Sequence, residues 1–240
     1  MKKILYLLFL ALATLASCDD GPIEETSKGY TDGTTAKVEG VLNGIDSWPS
    51  KYNIAIAGFE SNDKYAVISK IITNSSIDER GHFSVSLSGI PENVETLELC
   101  VINRLRQRVI TLYSENISQA AGSINIDAGE FDAEMYNMIQ THLFDVSCTA
   151  CHGGSTFSAA GLNLTTGKSY DGLVDKPSKK AEGLYLVAPG DVTNSVLHLV
   201  LNTDISADWR QNHADMLNKE RAAELLTMID DWIDYEAIKN

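Results

Sequence analysis

The sequence predicts a multidomain chain, an all-β sandwich of about seven strands followed by an all-α second domain. Three observations predict it. Apolar residues alternate with a period of two across residues 36–128. At Glu130 the period becomes helical, and an amphipathic stretch with apolar residues at helical spacing closes the chain.

The strands follow in order. Val38 to Leu42 opens the series; Tyr52, Ile54 and Ile56 alternate with Asn53 and Ala55. Tyr65, Val67 and Ser69 alternate with Ala66 and Ile68, and Phe83, Val85 and Leu87 alternate with serines. Further strands read at 96–102, 108–113 and 123–126. Turn residues separate them: Asn43-Gly44, Ser61-Asn62-Asp63, Arg80-Gly81, Pro91-Glu92-Asn93 and Ala121-Gly122. In the second domain, Phe131, Met135, Met138 or Ile139, and His142 or Leu143 trace one helical face. The terminal helix presents Ala222, Leu225, Leu226, Ile229, Trp232 and Ile233, with Glu220, Glu224, Asp230 and Asp234 opposite and Asn218 as N-cap before Lys219.

The front of the chain reads as export machinery. Lys2 and Lys3 precede an apolar run too short to remain as a membrane span, so residues 1–17 predict a signal peptide. Leu15-Ala16-Ser17-Cys18 resembles a bacterial lipobox, which implies cleavage before Cys18 and a diacylglyceryl lipid anchor on its thiol; an ordinary signal peptide with a stray Cys is the alternative. Residues 18–35, rich in Gly, Thr, Ser and acid, predict a flexible acidic tether. The expected location is therefore lipid-anchored outside the cytoplasmic membrane, on the periplasmic face or the outer-membrane surface.

Charge narrows the partners. The chain carries a net charge of −14, and removing the two leader lysines makes it about −16. That excludes nucleic acid as an expected partner and favours a basic protein surface or simple solubility.

One five-residue string carries chemistry: Cys148-Thr149-Ala150-Cys151-His152. Thiols three residues apart share one face of a helical turn, where both can form thioethers to the two vinyl groups along one edge of a porphyrin. The next residue, His152, can present an imidazole nitrogen to the iron. By composition such a string arises by chance on the order of 0.001 times in a chain like this. A zinc site would need a second close ligand pair, which His142, Cys100, His198 and His213 do not supply. A redox dithiol would follow a strand, whereas Phe144-Asp145-Val146-Ser147 follows a helical pattern. The expected cofactor is one covalent haem c.

From Phe131 to Tyr235 the chain resembles a class I cytochrome c domain, in motif order: Cys148, Cys151, His152, Gly153; Gly161-Leu162-Asn163-Leu164; Pro189-Gly190 with Ser195 and Leu197; Met216; Trp232-Ile233. The resemblance implies a haem domain over 131–240 with His152 as proximal ligand and Met216 as distal ligand. Leu217 stands where the family has proline, so His213 is the alternative ligand and an open position the third. It also implies that Pro189 orients the proximal His and that Leu162, Leu164, Tyr185, Leu197 and Trp232 wall the porphyrin, although core packing predicts the same places. The pieces Val38-Glu39-Gly40-Val41 and Glu79 to Val85 resemble carboxypeptidase-regulatory or transthyretin-like sandwich domains, which implies architecture only.

These expectations describe an electron carrier rather than an enzyme: a membrane-anchored lipoprotein passing single electrons to an unidentified redox protein. Two alternatives remain open. One is a cell-surface lipoprotein whose sandwich binds a glycan or protein, with Trp48, Tyr52 and Tyr65 as candidate aromatics. The other is a haem with an open distal position, peroxidase-like or gas-binding. Cys100 reads as an inert buried thiol, His82 as a surface histidine, His198 as a satisfied helix histidine, and Arg104, Arg106 and Arg108 as the solvent face of a hairpin.

Overall fold

A computed structural model describes residues 33–120, 122–154, 156–202, 205, 209, 211–217 and 222–239. The expected leader, Cys18, nearly all of the tether, and the Asn218, Lys219 and Glu220 helix start lie outside the described residues.

Seven strands form two sheets. β1 (Thr34–Asn43) is central in a three-stranded sheet, antiparallel to β4 (His82–Ile90) and parallel to β7 (Ser123–Asp132). β3 (Ile68–Ile71), β2 (Tyr52–Phe59), β5 (Thr96–Asn103) and β6 (Arg108–Asn116) form an antiparallel sheet in that order. Ala36 and Val38 of β1, Phe83, Val85 and Leu87 of β4, Ile54 and Ile56 of β2, and Leu97, Leu99 and Val101 of β5 are buried in one core. Period-two alternation puts these side chains on one face of each strand, where their burial drives the sheets together.

β2 and β5 are buried on both faces. Ala55, Ala57, Phe59, Cys100 and Ile102 form a second apolar cluster with Ala66, which belongs to the segment that pairs Tyr65 with Gln107. Burial pushes the Cys100 thiol well above its usual range, so it stays a protonated, inert thiol at neutral pH. Arg108 is not a solvent-face residue as the sequence suggests. Its guanidinium lies over the Phe59 ring at 3.9 Å, and its Nε is 2.9 Å from Glu98 Oε2, close enough for an ion pair but not aligned for a hydrogen bond. Thr111 Oγ1 also donates to Glu98 Oε2 at 2.9 Å.

The second half corrects the expectation of an all-α domain. α1 (Met135–Ile139) continues as a π-helical run, Gln140–Cys148, into α2 (Thr149–His152). Beyond it, among the described residues, short α-helices form, α3 (Ser169–Leu173) and α4 (Val196–Asn202), before the terminal α5 (Ala222–Asp234). Between them the chain makes isolated bridges, Val174 with Val187, Pro177 with Tyr185, and Tyr185 with Ser195. The reason is local: left-handed residues at Ala160, Asp175 and Gly190 interrupt any run long enough to nucleate and extend a helix. The fold is therefore mixed, two sheets with helices.

The described residues belong to one compact unit, and the sandwich core continues through Ala133, Met135 and Ile139 to Leu225, Ile229 and Trp232. Polar ties join α5 to the sandwich. Gln107 Nε2 donates to Glu224 Oε1 at 2.6 Å, Tyr52 Oη donates to Asp231 Oδ2, and Lys51 pairs with Asp231. The acidic face of α5 is thus partly spent on the sandwich. Among the described residues no helix is long and apolar enough to cross a membrane.

Replacing Glu98 with Ala leaves Arg108 unpaired at the sheet surface. Because the Arg108 side chain keeps 29% of its exposure, the expected loss is about 2 kcal/mol rather than the larger cost of a fully enclosed charge. Glu98→Gln, which keeps an acceptor for Thr111, should lose about half of that, read by urea unfolding.

Candidate functional site around Cys148, Cys151 and His152

The motif sits at the end of a helical run anchored in the sandwich. Met135 N–H donates to Ser47 Oγ at 2.7 Å, which caps the start of α1 from a residue 88 positions away in sequence. Gly44, at φ 74°, permits this approach: a Cβ there would lie 2.7 Å from the Glu134 nitrogen. The π-helical stretch Gln140–Cys148 then widens the run up to and including Cys148.

A buried hydrogen-bond chain ties that run to the segment beyond the motif. Tyr136 Oη donates to Ser169 Oγ at 2.6 Å, and Ser169 Oγ donates to Gln140 Oε1 at 2.5 Å. Gln140 Nε2 donates to the Leu164 carbonyl at 3.0 Å and to Asp145 Oδ1 at 2.6 Å. Each group is paired, so the chain fixes the geometry of the loop that follows the motif.

Cys148 and Cys151 flank the α2 turn, Cys148 half-buried and Cys151 exposed. Burial, with the Cys151 sulfur beside it, pushes the Cys148 thiol up to about 11. That direction is opposite to the one that activates a redox dithiol. Gly153 ends the turn, and a Cβ there would meet the Thr149 carbonyl oxygen at 2.5 Å.

His152 is held by its Nδ1, 3.1 Å from the Ala159 carbonyl and 3.3 Å from the Leu162 carbonyl. In the tautomer those carbonyls favour, Nδ1 carries the proton, so Nε2 is the ring nitrogen with a lone pair that could coordinate a metal. Leu164 N–H donates to the His152 carbonyl at 2.7 Å and closes the loop. The loop 159–164 thus orients the histidine through the Ala159 and Leu162 carbonyls, the role that the resemblance implies for Pro189. Pro189 instead sits in a turn that Ser195 closes, Ala188 N–H donating to Ser195 Oγ at 2.9 Å, and Gly190 N–H binds that turn to the Ile233 carbonyl of α5 at 2.8 Å.

No family model, curated protein or solved structure matches the chain. The site is therefore read from its own residues. His213 stands opposite His152, with ring centroids 6.3 Å apart and planes inclined at 32°. Its burial, and the His152 ring beside it, depress its pKa. Met216 is 43% exposed, and its Sδ lies 3.6 Å from Gln211 Nε2. Val146 and Phe157, on either side of the motif in sequence, are 74% and 77% exposed.

Other expected wall residues divide. Leu164 and Leu197 are buried, Leu162 half-buried and Tyr185 exposed. Trp232 is buried in an aromatic cluster, its centroid 5.1 Å from Tyr136, and its Nε1 donates to the Ile238 carbonyl at 2.9 Å. His198 pairs with Asp230 at 2.7 Å on α5. The sequence reading missed the Ala159 carbonyl and the Gln140, Ser169 and Tyr136 chain. Backbone acceptors leave no mark in a sequence, and Gln140 on a mostly apolar helix face was the available signal.

Ser169→Ala removes the hydroxyl between Tyr136 and Gln140 and strands both inside the core. It should cost about 2 kcal/mol, a fall in Tm of roughly 4–8 °C by calorimetry of the purified protein.

Proposed function

We propose that this protein carries single electrons on one covalently attached haem c, held outside the cytoplasmic membrane by a lipid on Cys18. One observation carries the reading: two cysteine thiols and a histidine share one turn, and backbone carbonyls hold that histidine by its Nδ1, which leaves Nε2 as the nitrogen for a metal.

The surroundings fit such a group. Val146 and Phe157 leave apolar surface uncovered beside the motif, and a porphyrin face is the kind of flat apolar ligand that would cover it. Thioether bonds from Cys148 and Cys151 would fix one edge of the macrocycle, and His152 would supply the proximal ligand. When bound, haem supplies an iron that changes oxidation state by one electron without moving protons or substrate. The Gln140, Ser169 and Tyr136 chain keeps the loop, and with it His152, in one place through that change. A redox protein is the implied partner, and the acidic surface favours a basic one.

Produced with a haem-attachment system, the full chain should retain haem through denaturing electrophoresis and give the absorption spectrum of a two-thioether haem in alkaline pyridine. Cys151→Ala should shift that spectrum to the one-thioether position, and a wild-type protein without covalent haem would end the proposal. Cys18→Ser should move the mature protein from the detergent phase to the aqueous phase in phase partitioning, since the remaining chain would have no acyl anchor.

A further inference from the structure

We propose that His213, and not Met216, is the sixth ligand of the haem iron that His152 holds, so that the iron is bound by two imidazoles. This rests on the haem reading above and adds the distal ligand to it.

The geometry of the two rings carries the inference. With an imidazole nitrogen about 2.0 Å from its metal and about 1.2 Å from its own ring centroid, two imidazoles on opposite sides of one metal have centroids roughly 6 Å apart. The rings of His152 and His213 are separated by 6.3 Å. The angle of 32° between their planes is compatible, because rotation about the shared axis does not alter that spacing. Ordinary packing between two flat rings reaches such separations too, but these two belong to chain segments brought together from 61 residues apart, one of them the motif histidine.

Each ring also has a backbone group that orients it. His152 Nδ1 meets the Ala159 and Leu162 carbonyls, and the His213 ring is bonded to the backbone of Gln211. An imidazole that donates one N–H to a carbonyl and turns its other nitrogen to metal is the usual arrangement of a histidine ligand.

Met216 is placed differently. His213 precedes the 3₁₀ turn Ala214–Met216, whose Met216 N–H donates to the His213 carbonyl at 3.0 Å. Residues three apart on such a turn share a side but are displaced along it by about 6 Å. Only one of the two can stand opposite His152, and the His213 ring does. The Met216 thioether lies instead beside Gln211 Nε2, with nearly half of the side chain exposed.

The chemical consequence is a filled iron of lower potential than an imidazole and thioether pair would give, because the second imidazole stabilises the ferric state where a thioether favours the ferrous. Such a carrier would accept electrons from a strongly reducing donor and would bind gases at the iron only slowly.

The test uses the purified full-length holoprotein and its His213→Ala, His213→Met and Met216→Ala variants. The wild type should be low-spin, lack the weak far-red charge-transfer band of a thioether on ferric iron, and be slow to bind carbon monoxide when reduced. Met216→Ala should leave all three properties and the midpoint potential unchanged. His213→Ala should become high-spin and bind carbon monoxide at once. His213→Met should gain the far-red band with a raised potential, which covers the case in which the alanine variant fails to fold. A far-red band in the wild type that disappears in Met216→Ala overturns the inference while leaving the haem reading intact. An unchanged spectrum in His213→Ala does the same, whereas absence of covalent haem from the wild type overturns both.

Discussion

The junction between the sheets and the first helix is the constraint on which the rest depends. β1 ends at Asn43, whose carbonyl accepts from Ala133 N–H at 2.8 Å as β7 runs alongside in parallel. The next residues fold back over the place where β7 becomes α1. Trp48 Nε1 donates to the Ala133 carbonyl at 2.6 Å, and Ser47 Oγ takes the Met135 N–H. Ser47 in turn donates to the Gly44 carbonyl at 2.7 Å, so the same hydroxyl both holds its own turn and caps the helix. A helix start left without a partner in this buried place would strand N–H groups at a cost of 1 kcal/mol or more, roughly the value of a normal cap. The direction of α1 is thereby set by the sandwich.

Everything in the candidate site inherits that direction. The helical run carries Tyr136 and Gln140 into the core and Cys148, Cys151 and His152 to the surface, and its hydrogen bonds to Ser169 and the Leu164 carbonyl hold the following loop against it. That loop returns the Ala159 and Leu162 carbonyls to His152. At the far end of the chain α5 packs its apolar face into the same core and ties Glu224 and Asp231 to the strands. The sandwich is therefore part of the scaffold of the site.

The strands were legible because burial of one face leaves an alternation that survives in the sequence: Tyr52, Ile54 and Ile56, or Phe83, Val85 and Leu87, point inward as that period requires. Alternation could not show that β2 and β5 are buried twice, since Ala55, Ala57 and Cys100 are small enough to read as either face. Nor could it show Arg108 lying on Phe59, because a guanidinium with an apolar stem has the same letter whether it is solvated or stacked. The all-α reading of the second half failed for a related reason. The segment 222–233 is helical as read, and the first helix starts only at Met135 because Phe131 and Asp132 still belong to β7, while the stretch between the two carries no period. In the site, the spacing of Cys148, Cys151 and His152 was readable, as local spacing always is. The partner of His152 was not, because Pro189 and Ala159 are equally able to offer a carbonyl and only the path of the loop decides between them.

That distinction bears on the redox site proposed for this chain. A carrier works best when its ligands hardly move as the charge on the iron changes, since any reorganisation raises the barrier to transfer. His152 meets that demand twice, through the carbonyls at its Nδ1 and through the Leu164 N–H on its own carbonyl, and both come from a loop pinned by buried hydrogen bonds. His213 is held by shorter means, its own 3₁₀ turn, which packs on α4, and the backbone of Gln211. With haem bound as proposed, the His213 side would therefore be the softer, and changes of coordination or of potential would have more room there than at the motif itself. The sandwich, the capped helix and the buried polar chain all stiffen the proximal side, which is the side the sequence announces.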